Sequence, residues 1–232
     1  EIVGHQTLLP LTTYLGMSLQ GIEIDGDGMV PDALDEACRV GQISAAFLVP
    51  SLANPTVCLM SEARRLAIVE VARRHDLMLI ENDVLGPLVE RSAPPLSALA
   101  PERSFYLTSF TKCVMPGLRT GYMVVPDDLI PSVANRHLVA MWMATPLMAE
   151  IAARWVADGT ALDLTRRQRA HLRARNALAE SRLAASFVTA AGQETQGVRI
   201  SVGSSDEPEL AAGLKVLERL ARSAPEPALL TI

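Results

Sequence analysis

The fold is decided by residues 43–80, which read ISAAFLVPSLANPTVCLMSEARRLAIVEVARRHDLMLI. The apolar run 43–49 is closed by a proline and predicts a buried strand. Ser61 is placed to cap a helix that runs to about His75, with an acidic residue in the first turn and basic residues in the last. The apolar run 77–80 predicts a second buried strand. The stretch is therefore expected to form a right-handed strand–helix–strand unit of an α/β fold.

The remaining elements are predicted by the same periodicities. Strands are expected at 105–108, 121–125 and 198–202, and helices within 128–158, at 162–183 and at 207–223. Breaks are expected in the first of these helical regions near Pro131 and Pro146. The order of elements predicts a parallel or mixed sheet flanked by helices, and ligands bind such sheets at the carboxyl ends of the strands.

The composition is that of an ordinary globular chain, with 49% hydrophobic and 20% charged residues and a formal net charge of -5. Mild acidity gives this segment no electrostatic reason to bind nucleic acid. The three cysteines are an odd count without metal-ligand spacing, which predicts no metal site and a reducing compartment. There is no membrane-length apolar run and no signal-peptide pattern at the first residues. We therefore expect a cytoplasmic protein that does not enter a membrane.

Only two lysines, Lys112 and Lys215, occur in the chain, so any amine chemistry has two candidates. Lys112 lies in a run, 109–122, that reads SFTKCVMPGLRTGY. Ser109 stands three residues before it, Thr111 directly before it, and Arg119 seven residues after it, beyond a Pro-Gly turn. This spacing could bring two hydroxyls and a guanidinium onto one phosphate while the amine reaches an aldehyde. A nucleophilic lysine must lose its proton, which a semi-buried electropositive site favours.

The lysine run resembles the S-x-[ST]-K…P-G-L-R-x-G signature of fold-type I pyridoxal 5'-phosphate (PLP) enzymes, the aminotransferase class I/II family. The resemblance implies a PLP-dependent transferase-like fold, that of aspartate aminotransferase, with a mainly parallel sheet flanked by helices and a smaller C-terminal α+β part. It implies PLP held as a Schiff base on Lys112, which would be the catalytic lysine of an enzyme. The phosphate would be held by Ser109, Thr111 and Arg119.

Weaker matches lie near the two ends of the chain. Gly4, His5 and Gln6 resemble the family's G-x-Q turn, whose backbone N–H groups hold the phosphate at a helix start. Tyr14 resembles the aromatic residue that stacks on the pyridine ring. Arg199 resembles the arginine that grips the substrate carboxylate.

The contacts to the pyridine ring include one departure from the family. Residues 50–56, PSLANPT, resemble its P-x-x-x-N-P-T run, which implies that Asn54 donates to the phenolic oxygen. The family's D-x-x-Y run, whose Asp pairs with the protonated ring nitrogen, falls on Asn82 and Leu85. Asp83 is adjacent, but a shift of one residue along a strand points to the other face. Either Asp83 serves through a local bulge, or Asn82 contacts the nitrogen without charge, which weakens carbanion stabilisation and leaves Schiff-base binding intact.

Two intervals are shorter than the family normally has. The interval 6–14 leaves no room for the helix between the phosphate turn and the stacking aromatic, and 183–198 leaves no room for a small-domain β-region. We therefore expect a large PLP-binding domain over 1–157 that is incomplete at its N-terminus, and an incomplete small domain over 158–232. Missing strands would expose part of the core.

The run 81–88, ENDVLGPL, resembles E-[DN]-D-V-Y-G-x-L in the MocR class of GntR-family transcription regulators. In that class an aminotransferase-like domain senses an effector, and DNA is bound by an N-terminal winged helix, which would lie outside this chain. Three functions stay open: such a sensor domain, a free aminotransferase, and a relative that has lost its cofactor. The first two imply a homodimer that binds a small amino compound as effector or substrate, and a weakened electron sink is tolerable in a sensor.

Overall fold

The computed structural model describes residues 8–54, 56–90, 93–183 and 206–222. The strands in these ranges are β1 (Ile24–Asp25), β2 (Gly28–Met29), β3 (Ala45–Leu48), β4 (Met78–Asn82), β5 (Ser104–Ser109) and β6 (Gly121–Val124). The α-helices are α1 (Leu8–Tyr14), α2 (Pro31–Val40), α3 (Glu62–Arg74), α4 (Leu96–Leu99), α5 (Phe110–Cys113), α6 (Ile130–Met141), α7 (Pro146–Ala157), α8 (Thr160–Leu183) and α9 (Glu207–Arg222).

The main sheet has four strands in the order β3-β4-β5-β6. The first three are parallel, and β6 runs antiparallel to β5. A parallel return needs a crossover of a dozen or more residues, and the short stretch between β5 and β6 does not provide one. The predicted α/β class and these four predicted strands are confirmed, while the predicted strand at 198–202 lies outside the described residues. A separate hairpin, β1 with β2, was not predicted.

Helix α3 joins β3 to β4 and covers one face of the sheet. Ser61 caps it as predicted, since its side chain accepts a hydrogen bond from the Arg64 N–H at 3.2 Å. Ile68 and Ala72 are fully buried in one apolar cluster with Leu79 of β4. Burial of a side chain as large as Ile68 or Leu79 stabilises the fold by roughly 1.5–3 kcal/mol. This packing buries the face of the sheet that carries Leu79.

Strand β6 is the last strand of the described sheet, and all four of its residues are exposed. Tyr122, Met123 and Val124 keep about half of their surface in contact with solvent. Within the described ranges no further strand pairs with its outer edge. The loss of family strands was expected to leave such an edge.

The helices after β6 follow the predicted pattern. Pro131 and Pro146 each lie in the first turn of a helix, α6 and α7, where the missing N–H costs nothing. Helix α6 has no buried residue among those described. The long helix α8 and the amphipathic helix α9 also lie where they were predicted.

The chain divides into two compact units, residues 1–165 and residues 166–232. This division falls inside α8, whereas the sequence placed a domain boundary between 157 and 158; the predicted domains remain a prediction. In the second unit, Leu210 and Leu214 of α9 are buried. No described helix combines the length and the apolar character that crossing a membrane requires.

Candidate cofactor-binding site

The predicted lysine lies on the connection from β5 to β6, and the two strands close this connection at its base. Ser109 ends β5 and pairs directly with Gly121, the first residue of β6. One residue further in, the Phe110 N–H donates to the Thr120 carbonyl at 3.0 Å. Between these pairs lie α5, which carries Thr111 and Lys112, and a 3-10 turn at Pro116–Leu118. The connection is therefore a closed loop with Lys112 on its one turn of helix.

The Pro-Gly-Leu-Arg-x-Gly pattern has a local geometric reason. Arg119 adopts a left-handed backbone with φ of 48°, which is uncommon outside glycine and asparagine. Gly121 lies so close to β5 that a Cβ on it would stand 2.9 Å from the Thr108 carbonyl oxygen. The reversal at Arg119 thus sends the chain directly back along β5, and glycine is the residue that fits this approach.

The loop is anchored below by apolar packing and by one thiol. Phe110 and Leu118 are buried in a cluster with Ala152 of α7. The Cys113 thiol donates to the Val84 carbonyl at 2.8 Å and so ties α5 to the loop that follows β4. These contacts hold the lysine loop against the sheet.

Four predicted phosphate and aldehyde contacts lie on this loop. Ser109 and Thr111 are half-buried, and Lys112 and Arg119 are exposed. The semi-buried surroundings that favour a nucleophilic lysine are not seen around Lys112 in the described part of the chain. No hydrogen bond or ion pair joins the Lys112 amine or the Arg119 guanidinium to another described residue. Two hydroxyls and two cations without a described counter-charge fit a phosphorylated aldehyde.

At the end of β4 the side chains of Asn82 and Asp83 point to opposite faces of the sheet. Burial alternates along this strand, so that Glu81 is buried on one face and Asn82 is half-buried on the other. The ladder continues regularly, because the Asp83 N–H donates to the Leu107 carbonyl at 2.8 Å. Asn82 pairs with Leu107, and Ser109 two residues on shares their face. The described strand thus has no bulge at Asp83, and Asn82 and Asp83 lie on alternate faces of the sheet.

Asp83 belongs instead to a buried polar cluster on the opposite face. Its Oδ2 accepts a hydrogen bond from the Tyr106 hydroxyl at 2.9 Å, and its Oδ1 has no partner among the described residues. Burial and the neighbouring Asp83 charge raise the pKa of Tyr106 above its ordinary value. Two residues earlier, burial raises the pKa of Glu81 to about 7, although the Arg65 guanidinium opposes that shift.

Sequence reasoning missed this cluster, although α3 carries a signal for it. The buried positions of α3 include 65, 68, 69 and 72, which are spaced i, i+3, i+4 and i+7 along one helical face. Arg65 occupies the first of them and is the charged member of an apolar stripe. An arginine at such a position needs a buried partner, and Glu81 is the one charged residue of β4.

Asn54 lies on the loop that follows β3, and it is exposed. An antiparallel bridge between Ser51 and Leu59 closes the loop. Leu52 and Val57 both adopt positive φ, at 56° and 57°. Left-handed backbone in such residues is costly and persists only where the surroundings impose it.

The structure brings some of the predicted residues together and leaves others apart. The loops that carry Asn54, Asn82 and the lysine run follow β3, β4 and β5, whose carboxyl ends share one edge of the sheet. Tyr14 ends α1 with 87% of its surface exposed, and no hydrogen bond or ring contact links its side chain to another described residue. Four predicted contacts lie outside the described residues: Gly4, His5, Gln6 and Arg199.

This fold and site define the class of protein. Residues 18–214 match the model of the family described as aminotransferase class I and II, and the chain belongs to that family. An archaeal alanine:glyoxylate aminotransferase has the same fold, with a TM-score of 0.77 and 18% identity over 89% of this chain and 64% of that one. LysN, an α-aminoadipate aminotransferase of Thermus thermophilus solved with N-(5'-phosphopyridoxyl)-L-leucine, gives 0.76 and 19%, covering 89% and 66%. The expected aminotransferase fold is confirmed.

Relatives in sequence include regulators and enzymes. YdeF, an HTH-type transcriptional regulator of Bacillus subtilis, is 28% identical over 66% of this chain and 34% of its own length. PdxR, the HTH-type pyridoxine biosynthesis regulator of Corynebacterium glutamicum, is 28% identical over 79% and 40%. Aminotransferase swnA of Metarhizium robertsii is 33% identical over 52% and 27%. The chain spans roughly a third of the length of these curated relatives.

Proposed function

We propose that this chain is the PLP-binding, effector-sensing domain of a MocR-type regulator of the GntR family. Its family implies PLP as the cofactor, and relatives that are HTH-type regulators support the sensing role. The observation that carries the proposal is the closed loop between β5 and β6. It presents Lys112 and Arg119 to solvent without a described counter-charge, beside the half-buried hydroxyls of Ser109 and Thr111.

Lys112 is the group that captures the cofactor in this proposal. Its Nζ would be the amine that holds the cofactor through the aldehyde carbon. Arg119 and the two hydroxyls would hold the phosphate, together with Gly4, His5 and Gln6. When bound, PLP supplies an aldehyde carbon that exchanges amines and a ring that withdraws electrons. An amino effector would replace Lys112 at that carbon, and Arg199 would pair with its carboxylate.

The ring contacts favour a sensor over an efficient enzyme. Asn54 is assigned to the phenolic oxygen, Asn82 to the ring nitrogen and Tyr14 to the ring face. A neutral amide cannot hold a proton on the ring nitrogen by charge, whereas a carboxylate does so. Amine recognition at the aldehyde carbon needs no such proton, because it stops before carbanion chemistry. Asn82 on the site face, with Asp83 turned to the opposite face, supports this distinction.

The whole protein is proposed to be a cytoplasmic homodimer. DNA binding is assigned to an N-terminal winged helix outside this chain, as the HTH-type names of its relatives support. The three cysteines are free, which fits a reducing compartment. The exposed apolar residues of α6 support association with a second copy.

The test of cofactor capture uses the two lysines of the chain. Protein loaded with PLP is reduced with borohydride and digested, and the labelled peptide is identified by mass spectrometry. We expect label on Lys112, loss of the label in Lys112→Arg, and no change in Lys215→Arg, since Lys215 is an exposed residue of α9. Equal labelling of both lysines would indicate surface modification and would reject the proposed site.

A free aminotransferase is the second candidate, and the 33% identity to aminotransferase swnA favours it. The two functions differ in what happens after an amine binds. We expect amino acids to change the absorbance of the loaded protein without release of a keto acid. Stoichiometric keto acid formation from any of them would favour the enzyme. The coding sequence upstream of residue 1 distinguishes the two candidates independently, because the regulator requires a winged helix there and the free aminotransferase does not.

A further inference from the structure

Arg65 and Glu81 form the most deeply buried ion pair among the described residues. Nη1 of Arg65 lies 2.9 Å from Oε1 of Glu81, and their side chains are 2% and 0% exposed. Burying two charges costs desolvation free energy that an exposed ion pair does not lose. Apolar residues of the same size often stabilise a fold equally well at such a position. Stability alone therefore does not explain why an ion pair occupies this position. The hydrogen bonds that the two side chains make to the neighbouring loops offer an explanation.

The guanidinium reaches both ends of the loop that carries Asn54. Its Nε donates to the Met60 carbonyl at 3.2 Å, and its Nη2 reaches the Pro50 carbonyl at 3.5 Å and the Ser51 hydroxyl at 3.4 Å. The loop between these points holds two left-handed non-glycine residues, which need such a constraint. One planar cation thus closes the loop 50–60 from below.

The carboxylate fixes the second loop. Glu81 directly precedes Asn82 on β4, and its side chain lies on the buried face while Asn82 lies on the other. The remaining oxygen, Oε2, accepts from the Ser97 N–H at 3.4 Å. The pair therefore joins the ends of β3 and β4 beneath the two asparagines assigned to the pyridine ring.

We infer that Arg65 and Glu81 are positioning residues that lock the Asn54 and Asn82 loops together and so set the geometry in which the cofactor ring is held. This inference rests on the proposed function for its ligand, while the locking of the loops is a property of the protein alone. Lysine cannot replace arginine here, because a single ammonium lacks the planar fork that serves the ends of loop 50–60 and Glu81 at once.

The experiment compares Arg65→Lys and the apolar double variant Arg65→Met/Glu81→Met with wild type. The double variant removes both charges and so avoids a lone buried charge that would unfold the protein. Arg73→Met is the matched control. Arg73 lies on the same helix as Arg65 and pairs with Glu102, but both side chains of that pair are about half exposed. The readouts are amide hydrogen exchange without cofactor, PLP affinity, and the absorbance maximum of bound PLP.

We expect faster exchange of the Leu52 and Met60 amides in both Arg65 variants, while the amides of α3 stay protected. PLP affinity should fall about tenfold, which corresponds to the loss of one well-placed hydrogen bond. The absorbance maximum of bound PLP should shift, and Arg73→Met should match wild type in all three readouts.

Two outcomes overturn the inference. A folded double variant with wild-type exchange in loop 50–60 would show that the pair does not hold the loop. Wild-type affinity and an unshifted absorbance maximum in that variant would show that the pair is merely structural. Failure of wild-type protein to bind PLP would instead reject the proposed function, and the exchange measurement would still decide whether the loops are locked.

Discussion

At the scale of single residues, the charge state of Glu81 has a predictable effect on stability. Burial raises its pKa to about 7 from an ordinary value of 4.5. The folded state therefore holds the Glu81 proton more tightly than the unfolded state does. The contribution of this protonated carboxyl to the free energy of unfolding is fully present below pH 4.5 and is lost as pH rises through 7. We expect the free energy of unfolding to fall by up to roughly 3 kcal/mol from this residue. Urea unfolding at pH 5 and pH 8 should show a smaller fall in Glu81→Gln.

Glu102 gives the control for that measurement, because its shift has the opposite sign. The Arg73 guanidinium lowers the pKa of this half-exposed carboxyl to about 2. Its contribution is present above its ordinary pKa and is lost only as pH falls towards 2. Glu102→Gln should therefore leave the difference between pH 5 and pH 8 unchanged. If Glu81→Gln showed the same difference between pH 5 and pH 8 as wild type, Glu81 would be ionised throughout this range in the folded protein.

Gly86 is predicted to be required because the Asp83 carboxylate lies against it. A Cβ at this position would overlap the Asp83 carboxylate, which is buried and bound to the Tyr106 hydroxyl. Gly86→Ala should therefore displace Asp83 and destabilise the protein by about 1–3 kcal/mol. Gly213→Ala is the control, since nothing lies within 4 Å of its Cβ position on helix α9. That change should be neutral or stabilising by up to about 1 kcal/mol, and equal effects on the midpoint of urea unfolding would contradict the steric explanation.

At the scale of elements, the start of α3 depends on a contact with the β1–β2 hairpin. The Asp27 carboxylate accepts from the Ser61 N–H at 2.7 Å and from its hydroxyl at 2.6 Å, while that hydroxyl caps the Arg64 N–H. Ser61→Ala should cost about 1 kcal/mol of the free energy of unfolding. Asp27→Asn should cost less, because its remaining carbonyl oxygen can still accept one of these bonds. A larger loss for Asp27→Asn in urea unfolding would assign the stabilisation to the hairpin rather than to the cap.

The elements that the sequence predicted are those with strong periodicity or a dense motif. The strand–helix–strand unit was predicted correctly because buried strands and an i, i+3, i+4 helix leave clear patterns. The side chains around the ring nitrogen could not be assigned by pattern. Asn82 and Asp83 are adjacent, and the register of β4 decides which of them faces the site. Arg65 was missed because its role depends on Glu81, which is sixteen residues away and meets it only in the folded sheet.

At the scale of the whole molecule, the exposed apolar residues at the end of α6 predict self-association. Val139, Met141 and Trp142 are 82%, 72% and 70% exposed, and they lie within one four-residue stretch of the chain. Contiguous apolar surface of this kind usually marks a contact with another protein. We expect the chain to sediment as a dimer and Val139→Asp to shift it to monomer, because a charge would have to be buried without a partner. Ser132→Asp adds the same charge in the first turn of α6, where it favours the helix, and should leave the dimer intact. A dimer that persists in Val139→Asp at equal concentration would place the contact on another surface.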